Sequence, residues 1–137
     1  MRKRSKARES VLQVLYQIDV TGDPVDVVLN QYWQSRNRNL EVVEFANEII
    51  KGTTDHLSEI DAIISQYSEN WEISKMPIID RNILRFSIYE ILYMDDIPPK
   101  VTIDEAVELA NNFGTPHSGK FINGILDKIM TLNTKNH

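Results

Sequence analysis

Gly114 and Gly119-Lys120 stand at the spacing of a phosphate-binding loop, with four residues between the glycines. In such a loop, backbone N–H groups cradle phosphates, the lysine reaches them, and the next side chain offers a hydroxyl to magnesium. Here the next residue is Phe121, which has no hydroxyl. The preceding segment also reads as a helix, whereas a phosphate loop follows a strand. Nucleotide hydrolysis is therefore set aside. What survives is a turn feeding a helix N-terminus, with free N–H groups, the Ser118 hydroxyl and the Lys120 charge, a simpler form of anion site. An ordinary glycine–proline turn plus a helix cap explains the same residues, and the local sequence alone favours it.

The remaining candidates for chemistry are weaker. His56, His117 and His137 share no metal-ligand spacing, and there is no cysteine, so neither a metal site nor a thiol nucleophile is expected. His56 is expected on an exposed helical segment. His117 sits in the turn, either solvated or touching a phosphate or base. Asp80, Arg81, Arg85 and Glu90 lie near the buried stripe of one helix. They are most simply one partly buried salt-bridge network, with partner binding as the second choice. Catalysis would need a pocket that sequence does not display.

The net charge of −5 argues against a phosphate-binding protein until it is divided. Arg2, Lys3, Arg4, Lys6 and Arg8 place five of the 15 basic residues in the first eight positions, with no acid among them. The rest carries 10 basic against 20 acidic side chains, so a basic arm precedes an acidic body. Such asymmetry points to nucleic acid or an anionic surface. Basic residues at a helix N-terminus oppose its macrodipole, which suggests a role elsewhere; a solubilising tail is the plain alternative. Tyr67, Phe113 and Phe121 flank polar segments rather than sitting mid-stripe. Single-stranded RNA is held by cations on phosphates and aromatic faces on bases. Core packing is the default for each ring taken singly.

The elements that must position these groups are helical. Ala7, Val11, Val14, Leu15 and Ile18 recur at spacings of three and four. After Gly22, Asp23 is expected to cap a helix with Pro24 at its first position. Its apolar face is Val25, Val28, Leu29, Tyr32 and Trp33. Residues 35–39 read as a loop. A third pattern starts at Val42, meets Gly52 and resumes at Leu57. One helix bent near residues 52–54 and two consecutive helices both fit, and the bent helix is preferred. Residues 69–75 form a connector around Trp71, and Pro77 opens the next helix. Thr102-Ile103-Asp104-Glu105 matches a capping box, and Gly114 stops the helix that follows. A last helix carries Phe121, Ile122, Ile125, Leu126 and Ile129, and residues 131–137 read as a flexible tail. No convincing strand is present. The expected fold is all-α, six or seven helices in one domain over residues 1–137. No apolar stretch approaches the length of a membrane span. The chain is expected to start at Met1 and to be soluble, without a cleaved leader.

These residues together resemble the NusB family of bacterial transcription antitermination factors, over nearly the whole length. The likeness rests on Ala7-Arg8-Glu9 with Gln13, Leu15-Tyr16 and Asp19. It continues through Asp80-Arg81-Asn82-Ile83-Leu84-Arg85 and Tyr89-Glu90-Ile91-Leu92. Its most specific part runs from Ile97-Pro98 and Asp104-Glu105-Ala106-Val107-Glu108 through Phe113-Gly114 and Ser118 to Lys120-Phe121-Ile122-Asn123-Gly124 and Asp127-Lys128. The resemblance implies two small packed helical bundles, no enzymatic activity, no cofactor and a cytoplasmic site of action. It implies binding of the boxA element of nascent ribosomal RNA transcripts together with the ribosomal protein NusE, within an RNA polymerase complex that resists termination.

Carried over residue by residue, the resemblance assigns RNA contact to Arg4, Lys6, Arg8, Tyr67, Phe113, His117, Ser118, Lys120 and Phe121. It assigns the NusE face an acid at Asp80. Two positions depart from the family pattern. Ser5 interrupts what is often a continuous arginine run, which would weaken phosphate contacts. His117 stands where some relatives carry an acid, and its loss should favour RNA. Two rivals stand beside this reading. One is the NusB-like RNA-targeting domain of ribosomal RNA cytosine methyltransferases, whose catalytic segment is not expected in a chain ending at His137. The other is a helical protein–protein module, including a homodimer that hides the basic surface.

Overall fold

The computed structural model describes residues 2–36, 39–69 and 71–132. Seven α-helices follow one another among them: α1 (Arg2–Thr21), α2 (Val25–Gln34), α3 (Leu40–Asp55), α4 (Leu57–Tyr67), α5 (Ile78–Tyr93), α6 (Pro99–Phe113) and α7 (Ser118–Leu132). A single 3-10 turn, Ile73–Lys75, lies between α4 and α5. No strand occurs among the described residues. The all-α expectation holds, as do the apolar faces: Ala7, Val11, Val14 and Leu15 of α1 and Ile83, Leu84, Ile88 and Ile91 of α5 are buried.

Two groups of helices share one core. α1 packs on α2 and α3, and α6 packs on α7. α5 touches α1, α3, α4, α6 and α7, so it is the axis on which both groups close. A helix buried on most sides must bury polar side chains too. Asp80, Asn82, Ser87 and Glu90 of α5 are all inside. Buried polar groups need partners, and the charged ones among these find them on α1, α6 and α7.

Several local expectations are corrected. The basic arm is no tail, because α1 already begins at Arg2. Pro24 is the N-cap of α2 rather than its first residue, and no side chain caps that helix. The bent third helix is two helices that meet at His56. Gly52 lies inside α3, where a Cβ would overlap the Tyr89 ring of α5. It therefore serves close packing and does not break the helix. His56 is half-buried: its Nδ1 lies 3.0 Å from the Gly52 carbonyl oxygen and its ring 4.3 Å from that of Tyr93. The capping box is not formed, since Pro98 is the N-cap of α6 and Pro99 its first residue. Gly114 does end α6, with extended backbone; a Cβ there would crowd Ser118 and the Ala110 carbonyl. Of the expected tail, residues 131–132 belong to α7, while residues 133–137, including His137, lie outside the described residues.

Candidate nucleic-acid interface

The first turns of α1 carry cations with two different fates. Lys3, Arg4 and Lys6 are exposed. Lys3 pairs with Glu41 at 3.0 Å, and Arg4 lies 3.7 Å from Asp96 with its guanidinium 4.5 Å from the Phe45 ring centre. Exposed pairs of this kind contribute about 0–1 kcal/mol and are easily exchanged for another anion. Lys6 forms no ion pair with any described residue. It borders a shallow groove of about 330 Å³ between α1 and α6, with Ser5, Glu9, Glu105, Leu109 and Asn112.

Arg8 is corrected as a phosphate contact, because its side chain is only 1% exposed. Its Nε and Nη2 donate to the two Glu90 oxygens, each at 2.8 Å, and Nη1 reaches Glu105 at 3.5 Å. Thr102 Oγ1 donates to the same Glu90 at 2.8 Å. Burial disfavours the charged guanidinium, yet the hydrogen bonds and charges of Glu90 and Glu105 outweigh it and hold its pKa above the ordinary arginine value. The network ties α1, α5 and α6 together through side chains 82 and 12 residues apart in sequence.

The four residues expected to form one ion network divide into three groups. Arg81 donates to both Asp19 oxygens at 2.8 and 2.9 Å, and Arg85 bridges Asp19 at 3.1 Å and Asp61 at 2.8 Å. Burial pushes the Asp19 carboxyl up, but Arg81, Asn82 and Arg85 more than reverse this and hold it below the usual aspartate range. Glu90 belongs to the Arg8 network. Asp80 stands apart, buried, and accepts from Ser118 Oγ at 2.7 Å.

That last bond shapes the turn between α6 and α7. Ser118 Oγ also accepts the Thr115 N–H at 2.9 Å, and Thr115 Oγ1 accepts the His117 N–H at 3.2 Å. Ser118 is 1% exposed, so its hydroxyl faces inward and is removed as an anion contact. Asp80, 4% exposed, is likewise corrected as a partner contact. Its carboxylate, bonded to the first residue of α7, suits the positive end of that helix and fixes the turn. His117 and Lys120 remain exposed, and Lys120 forms no ion pair with any described residue.

The aromatic candidates have different surroundings. Phe113 is 47% exposed and lines an apolar groove of about 230 Å³ with Leu12, Gln13, Tyr16 and Ile79. Glu9 borders this groove and the Lys6 groove, so the two form one seam. Phe121 is half-buried, its ring meeting Trp71 edge to face at 5.0 Å. Tyr67 is half-buried at the end of α4 and packs against the core. Sequence reasoning left Trp71 in a connector; its placement depends on contact with α7, which no local pattern announces.

A family model described as "NusB family" matches residues 5–131. The transcription antitermination protein NusB of Thermodesulfovibrio yellowstonii is 46% identical, covering 93% of this chain and 91% of its own. That of Myxococcus xanthus is 42% identical, covering 94% and 95%. The solved structure of NusB from T. maritima superposes with a TM-score of 0.87 at 38% identity, covering 94% of this chain and 91% of that one. A NusB solved with NusE and double-stranded RNA gives 0.87 at 26% identity, covering 96% and 98%. The sequence match runs through the buried Arg8, Asp80 and Glu90 that build the fold as well as through the exposed seam, and on both counts the chain belongs to the NusB family.

Proposed function

We propose that this chain is a transcription antitermination factor that binds boxA RNA of nascent ribosomal RNA transcripts together with NusE and joins the RNA polymerase antitermination complex in the cytoplasm. The observation that carries this reading is a set of exposed cations and rings on α1, α6 and the start of α7. Lys6 and Lys120 are exposed cations without ion pairs among the described residues, and Phe113 and His117 stand exposed between them in sequence. Lys3 and Arg4 extend the positive end of α1, and Tyr67 and Phe121 supply aromatic surface. Cations for phosphates beside rings for bases are what an RNA strand requires. A family relative solved with NusE and RNA supports the same pairing of ligands.

NusE is placed on the groove of Leu12, Tyr16, Ile79 and Phe113. Its lining is largely apolar, Tyr16 is 41% and neighbouring Val20 57% exposed, and Glu9 joins it to the Lys6 groove, so NusE and RNA would meet at Phe113. Asp80 supports the turn that follows Phe113 through its bond to Ser118. No catalytic step is assigned. Among the described residues no helix is long and apolar enough to cross a membrane.

The test is boxA RNA binding with and without NusE over a salt series. Binding strengthened by NusE, and weakened steeply by salt, is expected. No binding with both present would overturn the proposal in favour of a protein-only module, and sedimentation would then show whether the apolar groove pairs two copies of the chain.

A further inference from the structure

The two tryptophans are held differently. Trp33 is half-buried, its indole N–H donates to Asn47 Oδ1 at 2.9 Å, and its ring packs against Tyr32 at 4.8 Å. Trp71 is 45% exposed, and its indole N–H has no partner among the described residues. Its ring meets that of Phe121 in an edge-to-face arrangement.

Trp71 follows closely on the end of α4. α4 ends at Tyr67, and Glu69 adopts φ of 58°, in the left-handed region that non-glycine residues seldom occupy. The Trp71 N–H then donates to the Ser68 carbonyl at 3.2 Å. Such a conformation persists where the surroundings determine it, and it is a common companion of binding sites. A large aromatic side chain is thus presented to solvent against Phe121 of α7, the residue after Lys120, which forms no ion pair with any described residue. A cover for Phe121 would face solvent as well, so the distinguishing observation is the position of this exposed ring against the residue that follows Lys120.

We propose that Trp71 is an RNA-contacting residue whose exposed indole face stacks on an unpaired base, while Lys120 holds the adjoining phosphate. This rests on the RNA-binding reading above and adds to it a residue outside the set that the sequence resemblance assigned. The chemistry favours RNA over a protein partner because an exposed ring that meets the sequence neighbour of Lys120, a cation with no ion pair among the described residues, suits base and phosphate together. Stacking on a tryptophan tolerates any base, so Trp71 would supply affinity and direction of the strand more than sequence choice.

The test uses the full chain with NusE present. In Trp33→Phe, where Trp71 is the only indole, single-stranded boxA RNA should quench the emission. In Trp71→Phe, where Trp33 reports, it should not. Trp71→Ala should weaken RNA binding about tenfold or more, within the range for loss of one stacked base, and Trp71→Phe should recover most of it. Melting curves of both variants separate loss of a contact from loss of fold. If Trp33→Phe binds the RNA without a change in emission and Trp71→Ala binds as tightly as the parent, Trp71 is only a cover and the inference falls while the RNA-binding reading stands. Equal quenching by a fully paired duplex of the same sequence, or by NusE alone, would also overturn it. If the parent chain binds no RNA with NusE present, the functional reading itself fails and takes this inference with it.

Discussion

Lys6 and Arg8 are two residues apart on one helix, and they do opposite work. Lys6 stands in solvent with no ion pair among the described residues, while Arg8 is sealed against Glu90 inside the protein. One is available to a phosphate, and the other already holds a carboxylate. Two steps along an α-helix turn a side chain by roughly 200°, so neighbours in a basic run point to opposite sides. A cluster of positive charge in sequence is therefore not a surface. Half of its meaning lies in what packs against it.

The largest test of this contrast acts on the buried side. Glu90→Gln leaves Arg8 charged and poorly paired in the interior, which is expected to cost about 3–5 kcal/mol. At roughly 2–8 °C per kcal/mol, depending on chain length, the melting temperature should fall by about 6 °C or more. Arg8→Ala, which strands Glu90, should act similarly. Thermal denaturation followed by circular dichroism checks both, and an unchanged midpoint would remove the distinction between the two residues.

The Asp19 clamp sharpens the same point through pH. Its carboxyl is held below the ordinary value of about 3.9 by Arg81, Asn82 and Arg85. Protons therefore bind the unfolded chain more readily, so the stabilisation is full above that ordinary value and is lost as pH falls through the lower folded value. Asp19→Asn should lower the melting temperature at neutral pH, and its deficit against the parent should narrow below about pH 4. A deficit that stayed constant down to acid would show that charge is not the source of the effect.

Smaller effects belong to the exposed side. Lys6→Ala should leave the melting temperature nearly unchanged, within about 0.5 kcal/mol of stability. It should weaken RNA binding and flatten the salt slope by about one unit. His117→Asp adds an anion to the exposed turn and should weaken RNA binding modestly, more at low salt than at high. Equal or tighter binding by that variant would remove His117 from the interface.

Much of the helix pattern was legible because burial imposes spacings of three and four. The fate of Arg8 was legible too, since it stands at those spacings from Val11, Leu12 and Leu15, all buried. Its charge drew attention away from its register. Pro98-Pro99 likewise announced the start of α6, because proline suits a first helical position, and the nearby Thr-x-x-Glu pattern misled. Other features depend on contacts that local sequence does not carry. Gly52 looked like a break because the Tyr89 ring that fills its place comes from α5. Asp80 and Ser118 meet across 38 residues, so neither could be recognised as a turn support rather than a binding group. Trp71 lay in an unpatterned connector, and only the fold brings it to Phe121.

The most direct measurement is the salt dependence of boxA RNA binding, with NusE present, for the parent, Lys6→Ala and Arg8→Ala, at a temperature where each is folded. The account predicts that Lys6→Ala lowers the slope by about one unit at nearly parental stability. It predicts that Arg8→Ala loses stability heavily while its folded fraction keeps the parental slope. A reduced slope for Arg8→Ala at parental stability, with Lys6→Ala unchanged, would contradict it.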